Sequence, residues 1–135
     1  MPNSITSTKK AIELRLASLG LPIAYENVEF TPTSGQKYLI CQFMPKNPDD
    51  PTIGDSYYRE RLELQVFVCD ELNVGTASAL NTAQQIRDLF PKGLSLIQDG
   101  YNIYTFSTAQ IKGAVKTNDR LVVPVLVDLA TEVYS

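Results

Sequence analysis

The stretch Tyr58-Arg59-Glu60-Arg61-Leu62-Glu63-Leu64-Gln65-Val66-Phe67-Val68-Cys69-Asp70 decides the fold. Leu62, Leu64, Val66 and Val68 alternate with Arg61, Glu63, Gln65 and Phe67, the period of two that a strand with one buried face requires. The first set is read as core and the second as the opposite face. Leu121 to Tyr134 repeats the pattern, with Val123, Val125, Val127 and Leu129 sharing a face. Pro124 has no N–H to give to a ladder, so this strand should start at an edge or carry a bulge. Working outward, Tyr38 to Met44 is a third strand, with Leu39, Cys41 and Phe43 on one side and Tyr38, Ile40 and Gln42 on the other. Tyr101 to Thr108 is a fourth. Ile23 to Phe30 is extended and runs into the turn composition of Thr31-Pro32-Thr33-Ser34-Gly35.

Two segments carry the helical period instead. From Ser4 to Leu19, Ile5, Ile12, Leu16 and Leu19 fall on one face while Lys9, Lys10, Glu13 and Arg15 point away; Ser4 is placed as the N-cap, and Gly20 followed by Pro22 stops the helix. From Thr76 to Phe90, Ala79, Leu80, Ala83, Ile86, Leu89 and Phe90 make the apolar stripe, and Pro91 to Gly93 end it. The order helix, strands, helix, strands predicts an α+β fold: a mainly antiparallel or mixed sheet with two helices packed on one face. Residues 1–135 are read as one domain, a length that supports a single apolar core. Two helices leave the other sheet face open. That face carries Arg61, Glu63, Gln65, Asp128 and Glu132 beside Phe67, Tyr104 and Tyr134, a mixture suited to protein contact.

Composition narrows the chemistry. A 44% apolar, 20% charged chain belongs with globular proteins. Its net charge of −3 lacks the basic footprint of phosphate-backbone binding, so no sequence-specific nucleic-acid partner is expected. With no histidine, the usual general base and the commonest transition-metal ligand are missing, which removes Ser-His-Asp, Cys-His and zinc-hydrolase chemistry. Val74-Gly75-Thr76 has one glycine and no following lysine, so it caps a helix and does not cradle phosphate. Cys41 and Cys69 sit in strand-like segments and read as free thiols. No apolar run approaches the ~20 residues of a membrane-spanning helix, and Met1 to Lys10 has no apolar signal region. The expectation is a cytoplasmic protein that is not an enzyme, with no cofactor and no membrane partner.

Three regions are candidates for contact. Pro45 to Ser56 holds three prolines and reads as a long exposed loop, of a kind often kept for function. Its Asp49, Asp50 and Asp55 match no calcium-loop spacing and are read as a solvated or an acidic contact surface. Tyr57-Tyr58-Arg59-Glu60-Arg61 combines aromatics with arginine, as binding hot spots do, though ordinary strand edges share that composition. Ala109 to Arg120 is polar, with Gly113 near its middle, and reads as a hairpin tip. The candidate interface set is Asp49, Asp50, Asp55, Tyr57, Arg59, Arg61, Lys112, Lys116, Asp119 and Arg120.

Leu21-Pro22-Ile23-Ala24-Tyr25-Glu26-Asn27-Val28 followed by Pro32 resembles the opening of bacteriophage tail-terminator-like proteins of long non-contractile tails. Tyr38-Leu39 with a strand ending at Pro45, the strand Arg61 to Val68, the helix end Ile86-Arg87-Asp88-Leu89-Phe90-Pro91 and the closing Val123-Pro124-Val125 extend the likeness over nearly the whole chain. It departs at Arg59-Glu60-Arg61, where such proteins often carry a small residue. The resemblance implies a structural protein of the virion, assembled in the host cytoplasm. It implies a homo-oligomeric ring of six subunits on the head-proximal end of the tail, where tube growth ends and the head joins. The implied partners are further copies of itself, the tail tube protein, and a head–tail connector or neck protein. A connector or minor tail protein of similar fold is one alternative. A small-ligand binding module with its pocket between helices and sheet is another.

Overall fold

The computed structural model describes residues 3–54 and 56–134. In chain order the elements are α1 (Ser4–Ala17), β1 (Ile23–Ala24), β2 (Tyr38–Pro45), β3 (Tyr57–Asp70), α2 (Ala77–Leu89), β4 (Ser95–Gln98), β5 (Tyr101–Thr105), β6 (Gln110–Ile111), β7 (Val115–Lys116) and β8 (Leu121–Tyr134). The two stretches with the longest period-two patterning pair with each other, antiparallel, from Tyr57 opposite Tyr134 to Asp70 opposite Leu121. They form the middle of a curled mixed sheet of order β1-β2-β3-β8-β5-β4, with β6 and β7 also laid along β8. Only β1 against β2 is parallel among the described pairings.

The alternation sorts the two faces as their chemistry demands. Leu62, Leu64, Val66 and Val68 of β3 and Val123, Val125, Val127 and Leu129 of β8 are buried, in one cluster with Ile12 and Leu16 of α1 and with Ala79, Ala83 and Ile86 of α2. Both helices therefore pack on one sheet face, the α+β arrangement expected from the pattern. Their details differ from the expectation. Asn3, not Ser4, caps α1: its Oδ1 accepts the Thr6 N–H at 2.9 Å, and Thr6 Oγ1 accepts the Asn3 N–H at 3.2 Å, a reciprocal capping box. The helix ends at Ala17, and Gly20, with φ +78°, supplies the left-handed turn beyond it. Ile5 and Leu80 are exposed instead of buried. In their place the helices bury Ser4, Ser7, Thr8 and Thr82. Burying the hydroxyls of Ser7, Thr8 and Thr82 is tolerable because they are bonded: Thr8 Oγ1 donates to Ser4 O at 2.7 Å, Ser7 Oγ to Asp99 Oδ2 at 2.8 Å and Thr82 Oγ1 to Ser78 O at 3.2 Å.

The segment expected to be extended from Ile23 to Phe30 pairs only at Ile23 and Ala24; Asn27, with φ +55°, turns the chain soon after. The expected hairpin tip from Ala109 to Arg120 contains two short strands laid along β8. Gln110 and Ile111 lie opposite Leu126 and Val125, Val115 and Lys116 opposite Val122 and Leu121, and the tip itself is only Thr117 to Arg120, where the Thr117 N–H donates to Arg120 O at 2.8 Å. Ala109 belongs to the core. Pro124 is central, not at an edge, and its carbonyl accepts the Lys112 N–H at 2.9 Å. Its missing N–H faces that same neighbour. The neighbour bulges there: Ile111 to Val115 takes four steps where Val125 to Val122 takes three. The loop after β2 is likewise less free than its composition implies. The Lys46 N–H donates to Arg61 O at 3.0 Å, and Asp49 and Arg59 exchange both backbone bonds, at 2.9 and 2.8 Å.

Candidate functional site

The sheet face away from the helices is organised most tightly at the end where β3 begins and β8 closes. Register places Arg59 directly opposite Glu132, and Tyr104 of β5 opposite Ala130, two residues away on β8. Their side chains meet: Arg59 Nε donates to Glu132 Oε1 at 3.1 Å, the Tyr104 hydroxyl to the same oxygen at 2.5 Å, and the Tyr57 hydroxyl to Glu132 Oε2. The backbone bridge at Asp49 brings a second carboxylate in from the loop. Asp49 Oδ2 lies 3.2 Å from Arg61 Nη1 and 3.5 Å from Arg59 Nη1. The Arg61 guanidinium stands 4.3 Å from the centre of the Phe106 ring, a cation–π contact. Asp49, Arg59, Arg61, Tyr104 and Phe106 together line a cavity of 260 Å³. One donor there is unmade: Arg61 Nε is buried without an acceptor among the described residues. Further along the same face, Lys46 Nζ pairs with Asp128 at 2.6 Å and Glu63 at 3.5 Å.

Burial alone would raise the Glu132 carboxyl, but hydrogen bonds from Tyr104, Tyr57 and Arg59 outweigh it and hold the group below the ordinary carboxylate range. The bond to Glu132 in turn raises Arg59, and the bond to Asp128 raises Lys46. These groups are fixed in their charged forms near neutral pH, which suits recognition and not proton transfer. Burial pushes the Cys41 thiol up to about 12, away from nucleophilic chemistry. Among the described residues no group of three or more His, Cys, Asp or Glu could hold a metal ion, and no helix is long and apolar enough to cross a membrane.

The expected interface residues thus separate. Asp49, Tyr57, Arg59 and Arg61 come together in this network. Asp50 is exposed and outside every ion pair among the described residues, and Asp55 lies outside the described residues. Lys112, Lys116 and Asp119 are exposed. Arg120, at the opposite end of β8, is pinned: it donates to Gln36 O at 2.7 Å and Thr33 O at 3.1 Å and lies 5.0 Å from the Tyr38 ring centre. There it helps line a separate groove of 590 Å³ with Tyr38, Glu71 and Asp119. Glu132, Tyr104 and Phe106 of the first network, and Lys46 and Asp128 of the pairing further along the face, fall outside the expected set. For Glu132, Asp128 and Tyr104 the signal was available, since strand alternation already put all three on the open face.

A family model described as Phage tail terminator protein matches residues 7–128. A solved structure whose name states no function superposes with a TM-score of 0.79 at 24% identity, covering 99% of each chain, and so shares the fold. A search of curated proteins finds no match.

Proposed function

The chain belongs to the phage tail terminator family, and from that membership we propose that it forms a ring on the head-proximal end of the tail tube, ends tube growth and offers the surface that joins the head. A structural role in the phage tail, as a component of the virion, follows from the family and suggests a non-enzymatic protein. The finer reading rests on one observation. The helices cover one face of the sheet, while the other presents arginines and carboxylates joined in ion pairs and a tyrosine hydroxyl that donates to one of those carboxylates. Such preformed polar and aromatic surface gives an assembly its specificity. The partners are further copies of the chain, six to a ring, with the tail tube protein below and a connector or neck protein above.

The test is complementation of the encoding phage after its copy of the gene is disrupted. Without the protein, tails under the electron microscope should exceed wild-type length and lack heads, and supplying the chain in trans should restore both. Tails of normal length that fail to join heads would favour the connector reading.

A further inference from the structure

Two exposed apolar features play no part in the fold. Ile53, at the apex of the loop between β2 and β3, is 106% exposed, so nothing in its own chain covers it. On α1, Leu14 is 63% exposed. With Ala17 and Tyr25 it floors a groove of 440 Å³, rimmed by Lys9, Lys10 and Glu13. Building on the ring reading, we propose that the Asp50-to-Gly54 segment of one copy docks into the α1 groove of the next, with Ile53 on Leu14 and Asp50 on Lys10.

Size, charge and spacing support this occupant. The groove has room for an isoleucine side chain, and burying one against leucine, alanine and a tyrosine ring is favourable. Lys9 is already paired with Glu26 at 3.0 Å. Lys10 and Asp50 are exposed, opposite in sign and outside every ion pair among the described residues. Glu13, three residues beyond Lys10, adds a negative charge to the rim and so favours Asp50 at the Lys10 end. Asp50 and Ile53, three residues apart, span at most about 10 Å when extended. Lys10 and Leu14 stand one helical turn apart, with Cβ atoms about 6 Å from each other. One strand of loop can therefore reach both. Knob and groove belong to different elements, so within the ring reading each copy offers its loop to one neighbour and its groove to the other, the head-to-tail arrangement that a ladder of linked copies separates from a reciprocal pair.

Disulfide trapping reads the contact directly, using full-length Ile53→Cys and Leu14→Cys chains whose native Cys41 and Cys69 are buried. A mixture of the two should give a linked dimer on oxidation, each alone should not, and the double variant should give a ladder of linked copies. As a second measure, Asp50→Lys and Lys10→Asp should each raise the protein concentration needed for assembly by about tenfold, with unchanged melting temperature. Combined in one chain they should restore it. Ile53→Cys linking only to itself would overturn the proposal, as would linking to the tube protein. Absence of any link in samples that sediment as rings would remove this contact while leaving the ring. A wild-type chain that stays monomeric in solution and on tails would remove the ring reading itself.

Discussion

Glu132 accepts three hydrogen bonds and faces one guanidinium, and its behaviour in acid follows from that crowding. Its folded pKa lies below the ordinary 4.5. The stability it contributes is therefore fully present above the unfolded value and is lost as pH falls through the folded one. Melting temperatures followed from about pH 5 to about pH 3 should fall more steeply in the wild type than in Glu132→Gln, which has no carboxylate to protonate. Parallel slopes would mean that Glu132 does not titrate differently in the two states. Leu64 presents the apolar counterpart: fully buried in the middle of β3, it should cost about 2–4 kcal/mol when cut to alanine, seen as a lowered denaturation midpoint at unchanged slope. Residues of this second kind were legible, because alternation alone put Leu62, Leu64, Val66 and Val68 inside. Ile5 and Leu80 were not. A helix with bonded Ser and Thr on its inner face can seat against a sheet with its strongest hydrophobes turned partly outward.

At the scale of elements, length decided what could be read. β3 and β8, at 14 residues each, repeat their period often enough to declare themselves. β1, β6 and β7, at two residues each, contain no period at all and exist because β2 or β8 lies beside them. The hairpin joining β4 and β5 is a different case. Asp99 and Gly100, with φ +54° and +82°, have the two positive φ angles of a type I′ turn, and Asp-Gly is a recognised signal for it. Composition also misled over the loop before β3, because prolines and aspartates say nothing about the backbone bridge at Asp49. That bridge makes Asp49 and Asp50 unequal. Asp49→Ala removes the contacts to Arg59 and Arg61, so the melting temperature should drop and amide exchange at Arg59, whose N–H donates to Asp49 O, should quicken. Asp50→Lys should change neither. Equal effects of the two substitutions would mean that the bridge does not hold in solution.

For the whole molecule, the family and the fold class were both legible, since each depends on the order and patterning of long segments. The grouping of the interface candidates was not, because sequence distance hides what pairing brings together. Asp49, Arg59 and Tyr57 converge with Glu132, 73 residues from Arg59, while Arg120, only 12 residues before Glu132, stands just beyond the far end of the strand that holds Glu132. The sheet order carries a further consequence, for the birth of the protein. β8, later in the chain than every other strand, lies at the centre, between β3 on one side and β5, β6 and β7 on the other. Until Leu121 to Tyr134 has left the ribosome, β3 lacks its longest partner and the strands destined for the two halves of the sheet have nothing to join them. β1, β2 and β3 can pair among themselves, as can β4 with β5, but the second edges of β3 and β5 stay open, and folding is committed by the arrival of one late segment that ties distant parts together. Such dominance of non-local pairing belongs to the slower, millisecond-to-second class of folding, and it leaves chains cut short before β8 as prey for proteases and aggregation.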